Sequence, residues 1–269
     1  MVCLGNRHTK TRQVKKTRKM KTIIIGAGRG IRIMPYSKNF PKCFTEVNGK
    51  RILDYLLSTF KKLDLNDIHF VGGYLIDVVK KEYPQLTFHY NTDWETNNIL
   101  SSLFYAENSM KNGFISTYSD IIYTPKIMQK LLESPYDITI AVDANWKKRY
   151  KNRSQHSMDD AEKVLCENNR VKIISREIPN EIANGEFIGV AKFSAKGAQK
   201  FIDHYYKAKQ KYDDKPFHEA PLFKKAYLIH LFQEMLENNE NIYCVKTNGS
   251  YYEIDTVEDL KLVSEALSR

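Results

Sequence analysis

The chain of 269 residues has no long hydrophobic run: no window approaches the roughly 18 uncharged apolar residues of a membrane span. Its basic N-terminal segment lacks the apolar centre of a secretory signal, so export is not expected. The four cysteines, Cys3, Cys43, Cys166 and Cys244, show neither Cys-x-x-Cys spacing nor the density of a disulfide scaffold, which favours a reducing, cytoplasmic setting. Gly-Lys-Ser/Thr, the end of a Walker loop, occurs nowhere, and a dinucleotide fingerprint would need glycine where Ile31 stands. No Ser-His-Asp or Cys-His set is recognisable, so nucleophilic catalysis through a protein side chain is not expected. Internal repeats and low-complexity linkers are also missing.

Acidic residues are scarce in one place only. The net charge of +10 would suit a nucleic-acid partner, but residues 1–21 supply eight Lys and Arg with no acid, leaving +2 on the rest. Residues 1–20 therefore read as a basic, disordered extension, residues 21–269 as a single domain, and nucleic acid as an unlikely partner. Within the domain, apolar periodicity predicts strands near 22–26, 68–72, 86–90, 114–118, 137–142, 171–175, 187–193, 242–246 and 250–254. Helices are expected over 52–63, 75–83, 99–108, 125–132, 195–208 and 221–238, with a closing helix from Thr256. Strands alternating with helices over the first 140 residues imply an α/β fold whose mostly parallel sheet is covered on both faces. Ligands of such sheets sit beyond the carboxyl ends of the strands, where Gly26, Asp120 and Asp143 fall.

The most informative stretch is Thr22-Ile23-Ile24-Ile25-Gly26-Ala27-Gly28-Arg29-Gly30-Ile31-Arg32, followed by Pro41-Lys42. A buried strand that breaks into glycines leaves backbone amides bare, and bare amides beside two arginines make a cradle for phosphate oxygens. Gly26, Ala27, Gly28, Arg29 and Gly30 are thus candidates for binding a nucleotide.

Gly26-x-Gly28-x-Gly30-x-Arg32, Pro35, Pro41-Lys42, Val47-x-Gly49-Lys50, Gly73-Tyr74 and Glu253-Ile254-Asp255-Thr256-x-Glu258-Asp259-Leu260 resemble the nucleotidyltransferases. These enzymes join a nucleoside triphosphate to a phosphorylated acceptor and release pyrophosphate. The resemblance covers residues 21–267 and implies a Rossmann-like mixed, mostly parallel sheet sandwiched by helices, of the nucleotide-diphospho-sugar transferase type. A second set narrows it. Tyr118-Ser119-Asp120-Ile121, Asp143-x-Asn145-Trp146-x-x-Arg149-Tyr150, Asp160-Ala161-Glu162-Lys163-Val164, Gly185-Glu186-Phe187-Ile188-Gly189 and Pro216-Phe217-His218-x-Ala220-Pro221 are similar to cytidylyltransferases for small phosphonates and phospho-alcohols. The partners so implied are CTP and a small acceptor such as 2-aminoethylphosphonate or phosphocholine, with Mg²⁺ as cofactor and a homodimer as an option. A UTP- or dTTP-using sugar-1-phosphate transferase and a catalytically silent nucleotide-binding subunit are the alternatives.

On this resemblance Lys42 and Arg32 are the catalytic charge neutralisers, with Arg29 a weaker third, because an anionic acceptor needs positive charge and alignment rather than a general base. Asp120 and Asp255 are the metal ligands, each at the end of an apolar strand. A second reading of Asp255 stays open, since Asp255-Thr256-Val257-Glu258 also has the form of a capping box. Asn91 and Ser101 match positions near the nucleotide. Asp143, Glu186, Trp146 and Tyr150 are candidates for holding a cationic head group, against core packing for Trp146. Arg149, Arg153, His156 and Lys163 are candidates for its phosphonate, and His218 receives no role.

Overall fold

Ile23, Ile24 and Ile25 are all buried, but in different cores. Ile23 and Ile25 pack with Val71, Leu103, Phe114, Phe193 and Phe201 on one side of the sheet, and Ile24 packs with Leu56, Phe60, Phe70 and Met128 on the other. Successive side chains of a strand point to opposite faces, so an unbroken apolar run belongs to a strand covered on both. The computed structural model describes residues 20–34 and 38–268. The basic extension, apart from Met20, and Pro35 of the loop motif lie outside the described residues.

In chain order the strands are β1 (Lys21–Gly26), β2 (Glu46–Val47), β3 (Lys50–Arg51), β4 (Ile68–Gly72), β5 (Thr87–Tyr90), β6 (Phe114–Tyr118), β7 (Ile121–Tyr123), β8 (Ile138–Asp143), β9 (Lys163–Glu167), β10 (Arg170–Ile174), β11 (Gly185–Phe193), β12 (Tyr243–Thr247) and β13 (Tyr251–Glu253). The helices are α1 (Ile52–Lys62), α2 (Ile76–Glu82), α3 (Ile99–Phe104), α4 (Pro125–Glu133), α5 (Lys147–Tyr150), α6 (Ala195–Tyr212), α7 (Leu228–Glu237) and α8 (Val257–Leu267). Local chemistry explains several starts. Pro125 opens α4, where its missing N–H costs nothing, and the Ser194 hydroxyl accepts from the Gly197 amide at 3.1 Å to cap α6.

One large sheet runs β5-β4-β1-β6-β11-β8-β12-β10-β9, and β9 returns to pair with the start of β11. The expected parallel pairing holds for β5-β4-β1-β6 and again for β8-β12. β11 enters between β6 and β8 antiparallel to both, and β9 and β10 are also antiparallel to their neighbours, so the sheet as a whole is mixed. This reversal positions the site: the starts of β11 and β9 come to the same edge as the ends of β1, β6 and β8, with Glu186 opposite Asp143 and opposite Lys163.

Other departures are local. The two-residue turn Asn48-Gly49, with φ of 51° and 74°, closes the unforeseen β2–β3 hairpin, as a turn matched to strand twist requires. The helix expected over 99–108 stops at Phe104, and that expected over 221–238 begins at Leu228, after a single 3-10 turn at Phe223–Lys225. β13 leaves the large sheet and pairs with β7 as a separate ribbon. Among the described residues no helix is long and apolar enough to cross a membrane.

Gly189 marks a register shift in β11, between Phe187 and Ala191. Its φ is +74°, and a Cβ there would lie 2.4 Å from the Tyr118 ring. Gly189→Ala should therefore destabilise the fold by about 1–3 kcal/mol through overpacking and a disfavoured backbone. Urea unfolding of the two proteins measures this.

Candidate active site

A cleft of about 620 Å³ opens at the edge where Gly26, Asp120 and Glu186 meet. Its floor is the loop after β1, from Gly26 to Arg32. Gly30 has φ +68°, and a Cβ there would press within 2.9 Å of the Lys42 stem, so glycine lets that stem cross the loop. Arg29 and Arg32 flank it, the Arg29 guanidinium 5.4 Å from the Tyr74 ring centre.

Lys42 begins a 3-10 turn after Pro41, and its Nζ lies between two carboxylates. It donates to Asp120 Oδ2 at 2.6 Å and to Asp255 Oδ1, while Arg32 Nη2 donates to Asp255 Oδ2 at 2.8 Å. Burial by itself would lower the Lys42 pKa, but Asp120 and Asp255 more than reverse that and hold it above the ordinary lysine value. Burial would likewise raise Asp255, yet Lys42 and Arg32 hold it down at about 2. The ribbon brings the two aspartates together: Glu253 pairs with Ile121, and the Ile254 amide donates to the Asp120 carbonyl at 3.0 Å.

The capping reading of Asp255 is corrected here. Thr256 is the N-cap of α8, its hydroxyl accepting from the Asp259 amide at 3.1 Å. Asp259 Oδ2 in turn accepts from the Asp255 and Thr256 amides at 3.0 and 2.9 Å. The cap is thus made by the next residue, and the Asp255 carboxylate is left to the cleft.

Beside Asp255, the buried His156 places Nδ1 3.9 Å from Glu253 Oε2 and 3.9 Å from Asp255 Oδ2. Burial and then the Asp255 charge push Glu253 above the ordinary carboxylate value. Of the four basic residues considered for a phosphonate, only His156 lines the cleft. Arg153 is buried against Asp259 at 2.8 Å, Lys163 is buried, and Arg149 is bound to Glu186.

The proposed cation subsite is taken apart by the structure. Trp146 is 1% exposed and packs with Tyr150, Ala161, Ile178 and Ala183, so its core reading prevails. Asp143 is wholly buried outside the cleft, where Oδ1 accepts from the Asn145 and Gly249 amides at 3.0 and 2.9 Å. Glu186 does line the cleft, but it already takes the Arg149 guanidinium and the Tyr150 hydroxyl, the latter at 2.7 Å. Tyr150 lines the cleft beside it. Asn91 lies behind the wall, where its amide holds Asn97 Oδ1 and Ser102 Oγ, each at 2.9 Å, and those two residues face the cleft. Ser101 points instead into a neighbouring hollow with Tyr205 and Lys224.

Residues without an assigned role stand in the vacated place. Glu162, directly before β9, lines the cleft with Arg176, Tyr118 and Tyr227. The Tyr118 hydroxyl donates to Glu162 Oε2 at 3.3 Å, and Arg176 Nη2 lies 3.5 Å from Glu162 Oε1. Burial pushes Glu162 up to about 7, against the opposing pull of Arg176. A usable signal existed for both: Glu162 belongs to a motif of the resemblance, and Arg176 stands just beyond the end of a strand.

No family model matches the chain. A CTP:phosphoglutamine cytidylyltransferase of Campylobacter jejuni is 30% identical over 257 residues, which is 91% of this chain and 100% of that protein. A choline-phosphate cytidylyltransferase of Streptococcus pneumoniae is 24% identical over 252 residues, 92% of this chain and 98% of its own. Among solved structures, the inositol-1-phosphate CTP transferase from T. maritima is similar with a TM-score of 0.72 at 20% identity, covering 92% of this chain and 94% of that one. The CTP:phosphocholine cytidylyltransferase from Streptococcus pneumoniae gives 0.68 at 21%, covering 92% and 99%. The chain belongs to the nucleotidyltransferase family and, within it, to the cytidylyltransferase subgroup. It is an enzyme of that family, which sets aside the silent-subunit alternative.

The raised Glu162 has a consequence for stability. Folded Glu162 keeps a proton up to about pH 7, whereas its unperturbed value is 4.5. The group's contribution is complete below the unfolded value and is lost as pH rises through the folded one. Glu162→Gln should therefore melt higher than the wild type at pH 8, with the gap closing toward pH 4. Thermal melts across that range test it.

Proposed function

We propose that the enzyme transfers CMP from CTP to a small phosphorylated or phosphonate acceptor, releasing pyrophosphate, with Mg²⁺ as its cofactor. The observation that carries this reading is Lys42 held between Asp120 and Asp255 and crossing the glycine loop. The names of the two curated relatives support it, since both are cytidylyltransferases with phosphorylated acceptors.

The residues fit a hard divalent cation. Asp120 Oδ1 is a buried carboxylate oxygen with no hydrogen-bond partner, and the Asp120–Asp255 pair already requires a cation, here the lysine ammonium. Asp120 and Asp255 would hold the ion, which when bound neutralises charge on phosphate oxygens. The remaining work belongs to the chain. The acceptor oxygen is anionic at neutral pH and attacks the α-phosphorus of CTP directly. The bond from that phosphorus to the bridging oxygen breaks, and pyrophosphate leaves with the electron pair. Lys42 and Arg32 stabilise the negative charge that grows at the α-phosphate, and the loop amides hold the nucleotide in line.

Removing one preorganised charge of this kind typically costs about 10²–10³ in rate. Lys42→Ala should thus lower kcat by that factor and, in the absence of metal, also lower the melting temperature, since Asp120 and Asp255 lose the cation between them. Asp120→Asn should abolish metal-dependent turnover. A stopped-flow pyrophosphate assay with CTP, UTP, dTTP and ATP against a panel of acceptors reads both effects and the nucleotide preference. Near-normal turnover of Lys42→Ala would overturn the assignment.

A further inference from the structure

The wall of the cleft formed by β9 and β10 carries a pair of opposite charges that the transfer itself does not use. Arg176 and Glu162 face each other at 3.5 Å, well beyond the 2.7–2.9 Å typical of a charge-assisted hydrogen bond. Arg176 Nε is buried and has no hydrogen-bond partner. The guanidinium carbon lies 4.0 Å from the centre of the Tyr227 ring, which holds it against one wall. Glu162 receives one further contact, from the Tyr118 hydroxyl at 3.3 Å. The buried Glu162 and the partly exposed Arg176 are thus only loosely satisfied by each other, an arrangement that costs stability unless a ligand completes it.

The pair is also held in place from behind. Ser175, next to Arg176, donates its hydroxyl to Glu219 Oε1 and accepts the Glu177 amide at 2.9 Å. Glu219 Oε2 lies 2.9 Å from His230 Nε2. His230 Nδ1 accepts the Tyr227 amide at 3.0 Å, which leaves Nε2 to carry the proton toward Glu219. One chain of contacts, Ser175 to Glu219 to His230 to Tyr227, thus sets Arg176 and the ring it rests on. Burial would raise Glu219, but His230 and Ser175 hold it at about 2, so it stays an acceptor for both.

The geometry points to an acceptor whose organic end is an amino-acid group, its carboxylate bound by Arg176 and its ammonium by Glu162. The inference rests on the cytidylyltransferase reading for the acceptor's phosphate end. A head group with an ammonium alone would meet Glu162 but lie against Arg176, and one with a carboxylate alone would be repelled by Glu162. A neutral pair of opposite charges complements a zwitterion, and it gains nothing from the hydroxyls of a sugar. Glu186 cannot take the ammonium instead, because Arg149 and the Tyr150 hydroxyl already occupy it.

The test uses three phosphonates: 2-amino-3-phosphonopropanoate, which carries both charges, 2-aminoethylphosphonate, which lacks the carboxylate, and 3-phosphonopropanoate, which lacks the ammonium. With CTP and Mg²⁺ the first should exceed each of the others at least tenfold in kcat/KM. Arg176→Met should raise the KM of the first by about 10–100-fold, the range for a lost charged hydrogen bond, leave the KM of CTP unchanged and erase its advantage over 2-aminoethylphosphonate. Glu162→Gln should erase its advantage over 3-phosphonopropanoate. Equal use of the first two by the wild type, or an equal loss on all three in Arg176→Met, would overturn the assignment. Calorimetric titration of the three compounds separates it from the reaction: binding that depends on Arg176 without any pyrophosphate release would refute the proposed transfer and leave the head group standing. Loss of Arg176-dependent binding would refute the head group.

Discussion

An ammonium between two carboxylates organises this cleft. Asp120 and Asp255 come from distant parts of the chain and converge because β13 pairs with β7. A buried and a half-buried carboxylate so placed repel each other unless positive charge lies between them, and Lys42 supplies it. The lysine reaches that position only because Gly30 leaves room for its stem. Loop, ribbon and 3-10 turn are thereby tied to one electrostatic centre, and Arg32 closes it from the outer side.

Around that centre the carboxylates divide by their surroundings. Asp255 faces two cations and stays ionised to low pH. Glu162 and Glu253 are more buried than they are compensated, and both are raised. Asp259 is committed to the amides of the α8 cap and to Arg153. The same functional group thus serves as cation holder, desolvated charge in the wall, and cap, according to what the fold places beside it. The cap matters to the centre: by satisfying the amides at the start of α8 it frees Asp255 for Lys42 and Arg32.

Much of the framework was legible because it depends on local physics. The isoleucines before Gly26, the strand Ile68–Gly72 and the proline that opens α4 express side-chain burial and φ restriction within a few residues. Lys42, Arg32, Asp120 and Asp255 were found because they sit on a motif or directly after a strand end. The wall of the cleft around Glu162 and Glu186 was misread for a definite reason. The rule that ligands lie beyond strand ends looks only to carboxyl ends, whereas β11 runs the other way and brings its beginning, with Glu186, to the edge, and β9 starts opposite it, directly after Glu162. Trp146 and Asp143 share a motif with Tyr150 but face the core.

What the sequence by itself determined is the family, the glycine loop with the charged residues Lys42, Arg32, Asp120 and Asp255 that gather beside it, and an α/β frame to carry them. These follow from residue type and short-range spacing, which the chain carries wherever it folds. What only the tertiary structure decided is which charges are already answered. Glu186 is answered by Arg149, Asp143 by two amides, and Asp255 by Lys42 and Arg32, while Arg176 and Glu162 are held apart and incompletely paired. Those pairings depend on strand direction and register between segments far apart in the chain, and a one-residue change in register would turn each side chain to the opposite face of the sheet.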